Sequence, residues 1–123
     1  MGRGEGNANM LTLDGLRAYG ANVDEGMGRC FNNEAFYLRL VGMGLADKNF
    51  DKLDEAIAAG DASAAFEAAH GLKGAIGNLA LTPIYTPISA LTEALRGKNE
   101  MGDVSALHAQ VNAALAEARK LVD

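Results

Sequence analysis

The chain is poor in cysteine and carries no excess of positive charge, and each scarcity excludes a class of protein. A single cysteine, Cys30, cannot form an internal disulfide, and no Cys/His pair stands at metal-ligand spacing. Lys and Arg number 11 against 16 Asp and Glu, so the net charge of -5 argues against a nucleic-acid-binding domain, which would carry a basic patch. We expect neither a bound metal nor a nucleic-acid partner.

Long apolar runs are also missing. No stretch reaches the length needed to cross a membrane, and the opening residues MGRGEGNAN contain no apolar segment of a leader peptide. We therefore expect a cytoplasmic protein with no membrane partner. Residues 1–9 are interpreted as a flexible tail before one domain at residues 10–123. That length suits one core but leaves no room for a separate nucleotide-binding catalytic domain.

The apolar residues that are present recur every three or four positions, which indicates helices. The predicted helices lie near residues 12–18 and 23–31, from Asn33 to Gly60 with or without a bend near Asp47, from Asp61 to about Ala80, from Thr82 to Gly97, and from Asp103 to Val122. Four main amphipathic helices with short connections predict an all-α fold, an antiparallel four-helix bundle with the short N-terminal helices over one end.

Two local features of these helices are a cysteine within an apolar series and a pair of prolines one turn apart. The apolar series Val23, Met27, Cys30 and Phe31 makes Cys30 a buried hydrophobe rather than a reactive thiol. The sequence TPIYTP places prolines at positions 83 and 87, one turn apart. A proline inside a helix removes a backbone hydrogen bond, so this helix begins either near Thr82 or at Thr86.

The stretch AAHGLKGAIGNLAL, residues 68–81, places three glycines inside a predicted helix. Each glycine costs about 0.8–1 kcal/mol relative to alanine in a helix interior, so Gly71, Gly74 and Gly77 together cost roughly 2–3 kcal/mol. On a helical wheel, His70 points away from the apolar stripe. That stripe consists of Ala65, Ala68, Leu72, Ile76 and Leu79.

His70 is therefore predicted to be exposed, with Gly74 and Gly77 on its own face and Lys73 and Glu67 flanking it. Such a face suits a partner protein that brings a reactive group to the imidazole. A neutral imidazole is nucleophilic without an activating base, and a nearby lysine can act as a point charge for phosphate oxygens. His108 has no flanking glycines, and we interpret it as an ordinary histidine beside the core.

AHGLKGAIGNL closely resembles the H-x-L-K-G motif of histidine-containing phosphotransfer (Hpt) domains, and GANVDEGMGRCFNNEAFYLRL resembles the segment leading into their second helix. The resemblance runs from about Leu11 to Val122. It implies a phosphorelay protein in which His70 is the phosphoacceptor, Lys73 lies by the phosphoryl group, and Gly74 gives the partner room. Gly77 and Asn78 match less diagnostic positions, and Glu67 lies with them on the docking face.

The resemblance also implies the partners, which are response-regulator receiver domains and a hybrid sensor histidine kinase. It implies no cofactor in this chain, since the Mg²⁺ of the reaction belongs to the receiver, and no kinase activity of its own. Two alternatives remain open. The chain could be the phosphoacceptor domain of a chemotaxis-type histidine kinase, which a native end near Asp123 would exclude, or a bundle that binds receivers without being phosphorylated.

Overall fold

The computed structural model describes residues 11–122, and the regular structure within that range is entirely helical. Its helices are α1 (Leu13–Tyr19), α2 (Val23–Arg29), α3 (Glu34–Leu45), α4 (Asn49–Ala59), α5 (Ala62–Asn78), α6 (Thr82–Leu95) and α7 (Ser105–Lys120). The predicted all-α fold is confirmed. The tail predicted for residues 1–9 lies outside the described residues.

The long helices pack as a bundle with α5 at its centre. Helix α5 contacts both α4 and α6, and α6 contacts α7. The connections are short, which makes consecutive helices antiparallel neighbours. Helix α7 reaches the first helices of the bundle through side chains: His108 Nε2 lies 2.6 Å from Asp54 Oδ1 on α4, and the guanidinium of Arg119 donates to Leu45 O at 3.0 and 2.8 Å.

Side-chain caps mark the starts of α3 and α5. Asn33 and Asp61, the residues at which two helices were predicted to begin, are N-caps: their side chains accept hydrogen bonds from backbone amides three residues on. The predicted helix from Asn33 to Gly60 is divided, because α3 ends at Leu45 and α4 begins at Asn49. Asp47 Oδ1 accepts from the amide of Asn49 at 2.8 Å, which satisfies a backbone donor at the start of α4.

Helix α6 begins at Thr82, so the alternative start at Thr86 is wrong. Pro83 occupies the first turn, where its missing N–H is tolerated, and Pro87 lies buried inside the helix. Because Pro87 has no N–H, the carbonyl of Pro83 lacks its usual helical donor.

None of the helices in residues 11–122 is long and apolar enough to span a membrane.

The core lies between the bundle helices and includes the whole predicted stripe from Ala65 to Leu79, the residue that follows α5. Tyr37 is fully buried, and its hydroxyl donates to Leu79 O at 2.8 Å. Burial raises the pKa of Tyr37 to about 12. Gly26 is required beside this ring, since a Cβ there would lie 2.5 Å from Tyr37 Cε1. The tyrosine thus joins α2 and α3 to the end of α5.

The end of α2 differs from the prediction. Cys30 is buried, as expected, but the helix ends at Arg29 rather than near residue 31. Phe31 and Asn32 both adopt left-handed backbone conformations with φ of 58°. This turn directs the Phe31 side chain into solvent, where it is 89% exposed, and removes it from the predicted apolar series.

Candidate functional site

His70 lies in the middle of α5 on its solvent side. The helix is started by the Asp61 cap and is anchored by the alanine and leucine stripe on its opposite face. His70 is exposed, whereas its neighbours Ala69 and Leu72 are completely buried. The helical period therefore places the imidazole where a partner can reach it.

An aromatic side chain lies against the imidazole. The rings of Phe66 and His70 are stacked, with centroids 5.5 Å apart and an interplanar angle of 22°. The guanidinium carbon of Arg96, the residue that follows α6, lies 5.2 Å from the centroid of the Phe66 ring. Neither Phe66 nor Arg96 was among the residues expected at the site. The four-residue spacing of Phe66 and His70 was the available signal for the first of them.

Lys73 is one turn after His70 and is half-buried. Its Nζ lies 3.6 Å from Glu93 Oε2 on α6. The same carboxylate accepts two hydrogen bonds from Arg96, at 3.1 and 2.9 Å. These bonds lower the pKa of Glu93, and the charges of Arg96 and Lys73 lower it further. The ammonium of Lys73 is therefore held beside the site by an ionised carboxylate.

The three glycines of α5 meet different surroundings. A Cβ at Gly74 would meet nothing within 4 Å, so this glycine leaves open backbone beside His70. A Cβ at Gly77 would lie 2.9 Å from Tyr85 Cε1, and one at Gly71 would lie 3.1 Å from Asn49 Nδ2. Gly74 gives access, whereas Gly77 makes room for the aromatic ring of a neighbouring helix.

A concavity of about 510 Å³ extends from His70 along the C-terminal half of α5. Its lining residues come from α2, α5, the α5–α6 connection and the start of α6, and are Glu25, Arg29, His70, Lys73, Gly74, Gly77, Asn78, Ala80, Thr82 and Tyr85. The structure thus brings together five of the six residues predicted for the site.

Arg29 lines the concavity without having been predicted there, whereas Glu67 was predicted for the site but lies outside the concavity. Arg29 closes the far end of α5, where its Nη1 donates to Gly77 O at 3.0 Å and to Asn78 Oδ1 at 3.4 Å. Glu67 is exposed but lines a separate groove between α4 and α5. Arg29 was not predicted from the sequence, because its contact with α5 spans 48 residues of chain.

His108 lies away from this concavity. Besides its contact with Asp54, its Nε2 is 3.2 Å from Asn112 Nδ2, and its side chain is 20% exposed.

Across residues 11–122, no group of three or more His, Cys, Asp and Glu side chains is placed so that it could hold a metal ion.

Comparison with known families decides the identity of this bundle. The sequence matches the family model described as Hpt domain over residues 44–121, which is more than half of the chain. The chain belongs to the Hpt family. Hpt domains carry out histidine phosphotransfer in two-component signalling, and they interact with receiver domains and kinases in phosphorelays.

The match covers the end of α3 and helices α4 to α7, which include the exposed histidine and its lysine. Helices α1 and α2 lie outside it, so the resemblance noted for residues 20–40 stays a prediction. No curated protein and no solved structure matches the Hpt chain at the significance threshold.

Proposed function

We propose that the chain accepts a phosphoryl group on His70 from a receiver-domain aspartate and passes it to the aspartate of a second receiver. One receiver would belong to a hybrid sensor histidine kinase and the other to a response regulator. The observation that carries this proposal is the exposed His70 imidazole on a rigid helix, with Lys73 and the open backbone of Gly74 beside it.

The transfer step conserves atoms and charge. A ring nitrogen of neutral His70 attacks phosphorus, an N–P bond forms, the P–O bond of the aspartyl phosphate breaks, and the receiver's carboxylate leaves. The proton on the other ring nitrogen is then lost to solvent. The reverse sequence on a second receiver regenerates the free imidazole. Catalysis of this kind depends on positioning and charge stabilisation.

Lys73 would supply that charge stabilisation. Its Nζ lies 3.6 Å from the carboxylate of Glu93, whose side chain is exposed, and a solvent-screened pair of this kind contributes little to stability. The ammonium can therefore exchange Glu93 for phosphoryl oxygens at little cost. Gly74 and the concavity running toward Asn78 would accept the receiver surface that surrounds the aspartate. We assign no cofactor to this chain, since the Mg²⁺ of the reaction belongs to the receiver.

The experiment incubates the purified chain with receivers that have been phosphorylated with a radiolabelled small-molecule donor. We expect label to move to the chain, to be labile in acid and stable in base, and to be absent with ATP alone. His70→Gln should abolish the labelling, and the matched variant His108→Gln should leave it intact.

Two results would overturn the proposal. Label retained by His70→Gln would place the phosphoacceptor elsewhere. Receivers that bind the wild-type chain but never label it would instead favour a non-phosphorylated adaptor.

A further inference from the structure

The imidazole of His70 is exposed, yet one of its faces is covered. Phe66 precedes it by four residues, a spacing that places both side chains on one face of α5. The 5.5 Å centroid distance and the 22° angle between the rings describe an offset stack. An exposed histidine on a bare helix would sample several rotamers, whereas a stack of this geometry favours one of them by about two- to tenfold.

Phe66 is itself fixed from two sides. It is half-buried and packs against the edge of the core. Above its ring lies the guanidinium of Arg96, 5.2 Å from the centroid, in the geometry of a cation–π contact. Arg96 in turn is held by both oxygens of Glu93, a bidentate pairing that fixes the plane of the guanidinium.

The contacts form a continuous brace from α6 to the imidazole. Glu93 orients Arg96, Arg96 lies on Phe66, and Phe66 stacks on His70. Glu93 also contacts Lys73, so the brace ends at the two side chains proposed to meet the phosphoryl group. When Lys73 turns toward phosphate, Arg96 still holds the carboxylate.

We infer that Phe66, braced by Arg96, is a positioning residue that orients the His70 imidazole for phosphoryl transfer from a docked receiver. This inference rests on the proposed role of His70. In-line transfer requires the lone pair of the reacting nitrogen to point at phosphorus, opposite the departing aspartate oxygen. A receiver docks in one orientation, so an imidazole already held in one rotamer reacts in a larger fraction of encounters. Phe66 touches none of the reacting atoms.

The test compares two phosphoryl donors. A phosphorylated receiver approaches His70 in one geometry, whereas phosphoramidate, a small diffusing donor, approaches from any open side. Phe66→Leu keeps an apolar side chain of similar burial and removes the ring. We expect its transfer rate at saturating receiver to fall about two- to tenfold, its half-saturating receiver concentration to be unchanged, and its labelling by phosphoramidate to be unchanged. Phe66→Tyr retains the ring and should restore the receiver-dependent rate.

Two further measurements separate positioning from folding. Loss of the ring current in Phe66→Leu should shift the carbon-bound ring protons of His70 downfield in the NMR spectrum. Arg96→Met removes the guanidinium above Phe66 and should slow receiver transfer. Arg119→Met is its control, since Arg119 makes the same kind of contact, 5.7 Å from the ring centroid of Phe50, and neither residue lines the concavity at His70, so the rate should be unchanged.

The outcomes distinguish this inference from the proposed function. If wild type is labelled on His70 and Phe66→Leu transfers at the wild-type rate, positioning by Phe66 is refuted while the carrier function stands. An equal fall with both donors also refutes it, since impaired access or folding then explains the effect. If no receiver labels the wild type, the carrier function fails. The His70 proton shifts in Phe66→Leu then decide alone whether the stack orients the ring.

Discussion

Gly74 and Gly77 offer a matched test of the packing around the histidine, because the same substitution has opposite consequences at the two positions. Both residues belong to α5, both lie near the His70 face, and both are predicted from the sequence to cost helix stability. A Cβ at Gly74 would meet nothing within 4 Å. A Cβ at Gly77 would lie 2.9 and 3.2 Å from two carbons of the Tyr85 ring.

The expected change in the free energy of unfolding at each position follows from these surroundings. Gly74→Ala should stabilise the chain by about 0.8–1 kcal/mol, the full difference in helix propensity. This corresponds to a rise in Tm of about 4 °C for a domain of this size. Gly77→Ala gains less propensity, because it is next to the last residue of α5, and it forces the half-buried Tyr85 ring to shift. Overpacking of that kind costs about 1–3 kcal/mol, so Gly77→Ala should destabilise the chain.

Urea unfolding followed by circular dichroism measures both variants. The decisive control is a double-mutant cycle, in which Gly77→Ala is introduced beside Tyr85→Ala. With the ring removed, Gly77→Ala should no longer destabilise. Equal stabilisation by Gly74→Ala and Gly77→Ala in the wild-type background would refute the packing of Tyr85 against the α5 backbone, and with it the shape of the concavity.

Further predictions concern access, charge and burial. Gly74→Leu should weaken receiver binding while raising stability, as a binding titration and urea unfolding would show. Lys73→Met should slow phosphoryl transfer to the chain yet change stability by no more than about 0.5 kcal/mol, because its partner Glu93 is exposed and solvent screens the pair. For Tyr37 the folded pKa is raised to about 12, so its contribution is intact below pH 10 and is lost as the pH rises toward 12. The stability advantage of wild type over Tyr37→Phe, about 1 kcal/mol at neutral pH, should therefore shrink across that window in urea titrations.

Much of the fold could be predicted because helix caps and periodicity are local. Two helices were predicted to begin at Asn33 and Asp61, and these residues do cap α3 and α5, since a cap needs only a side chain and an amide three residues away. The apolar periodicity did not decide whether the predicted helix from Asn33 to Gly60 is interrupted near Asp47. The exposure of Phe31 was missed, because it depends on two consecutive left-handed residues that end α2 early.

The residues of the site likewise fall into those that the sequence could predict and those that it could not. The shared face of His70, Lys73 and Gly74 follows from the helical period alone. Phe66 lies on that face and could have been found from its spacing. Contacts that cross between helices could not, because no periodicity within one segment specifies which side chain of a neighbouring helix approaches it. Those contacts are made by Arg29, Tyr85, Glu93 and Arg96.

In the function proposed above, the exposed imidazole of α5 is the group that carries phosphate. The most direct measurement is tandem mass spectrometry of the chain after transfer from a phosphorylated receiver, with digestion and separation kept at alkaline pH, where a phosphoramidate survives. We expect one phosphoryl group per chain, attached to His70, with His108 unmodified. Phosphate located on His108 or on any other residue, with His70 unmodified, would contradict it.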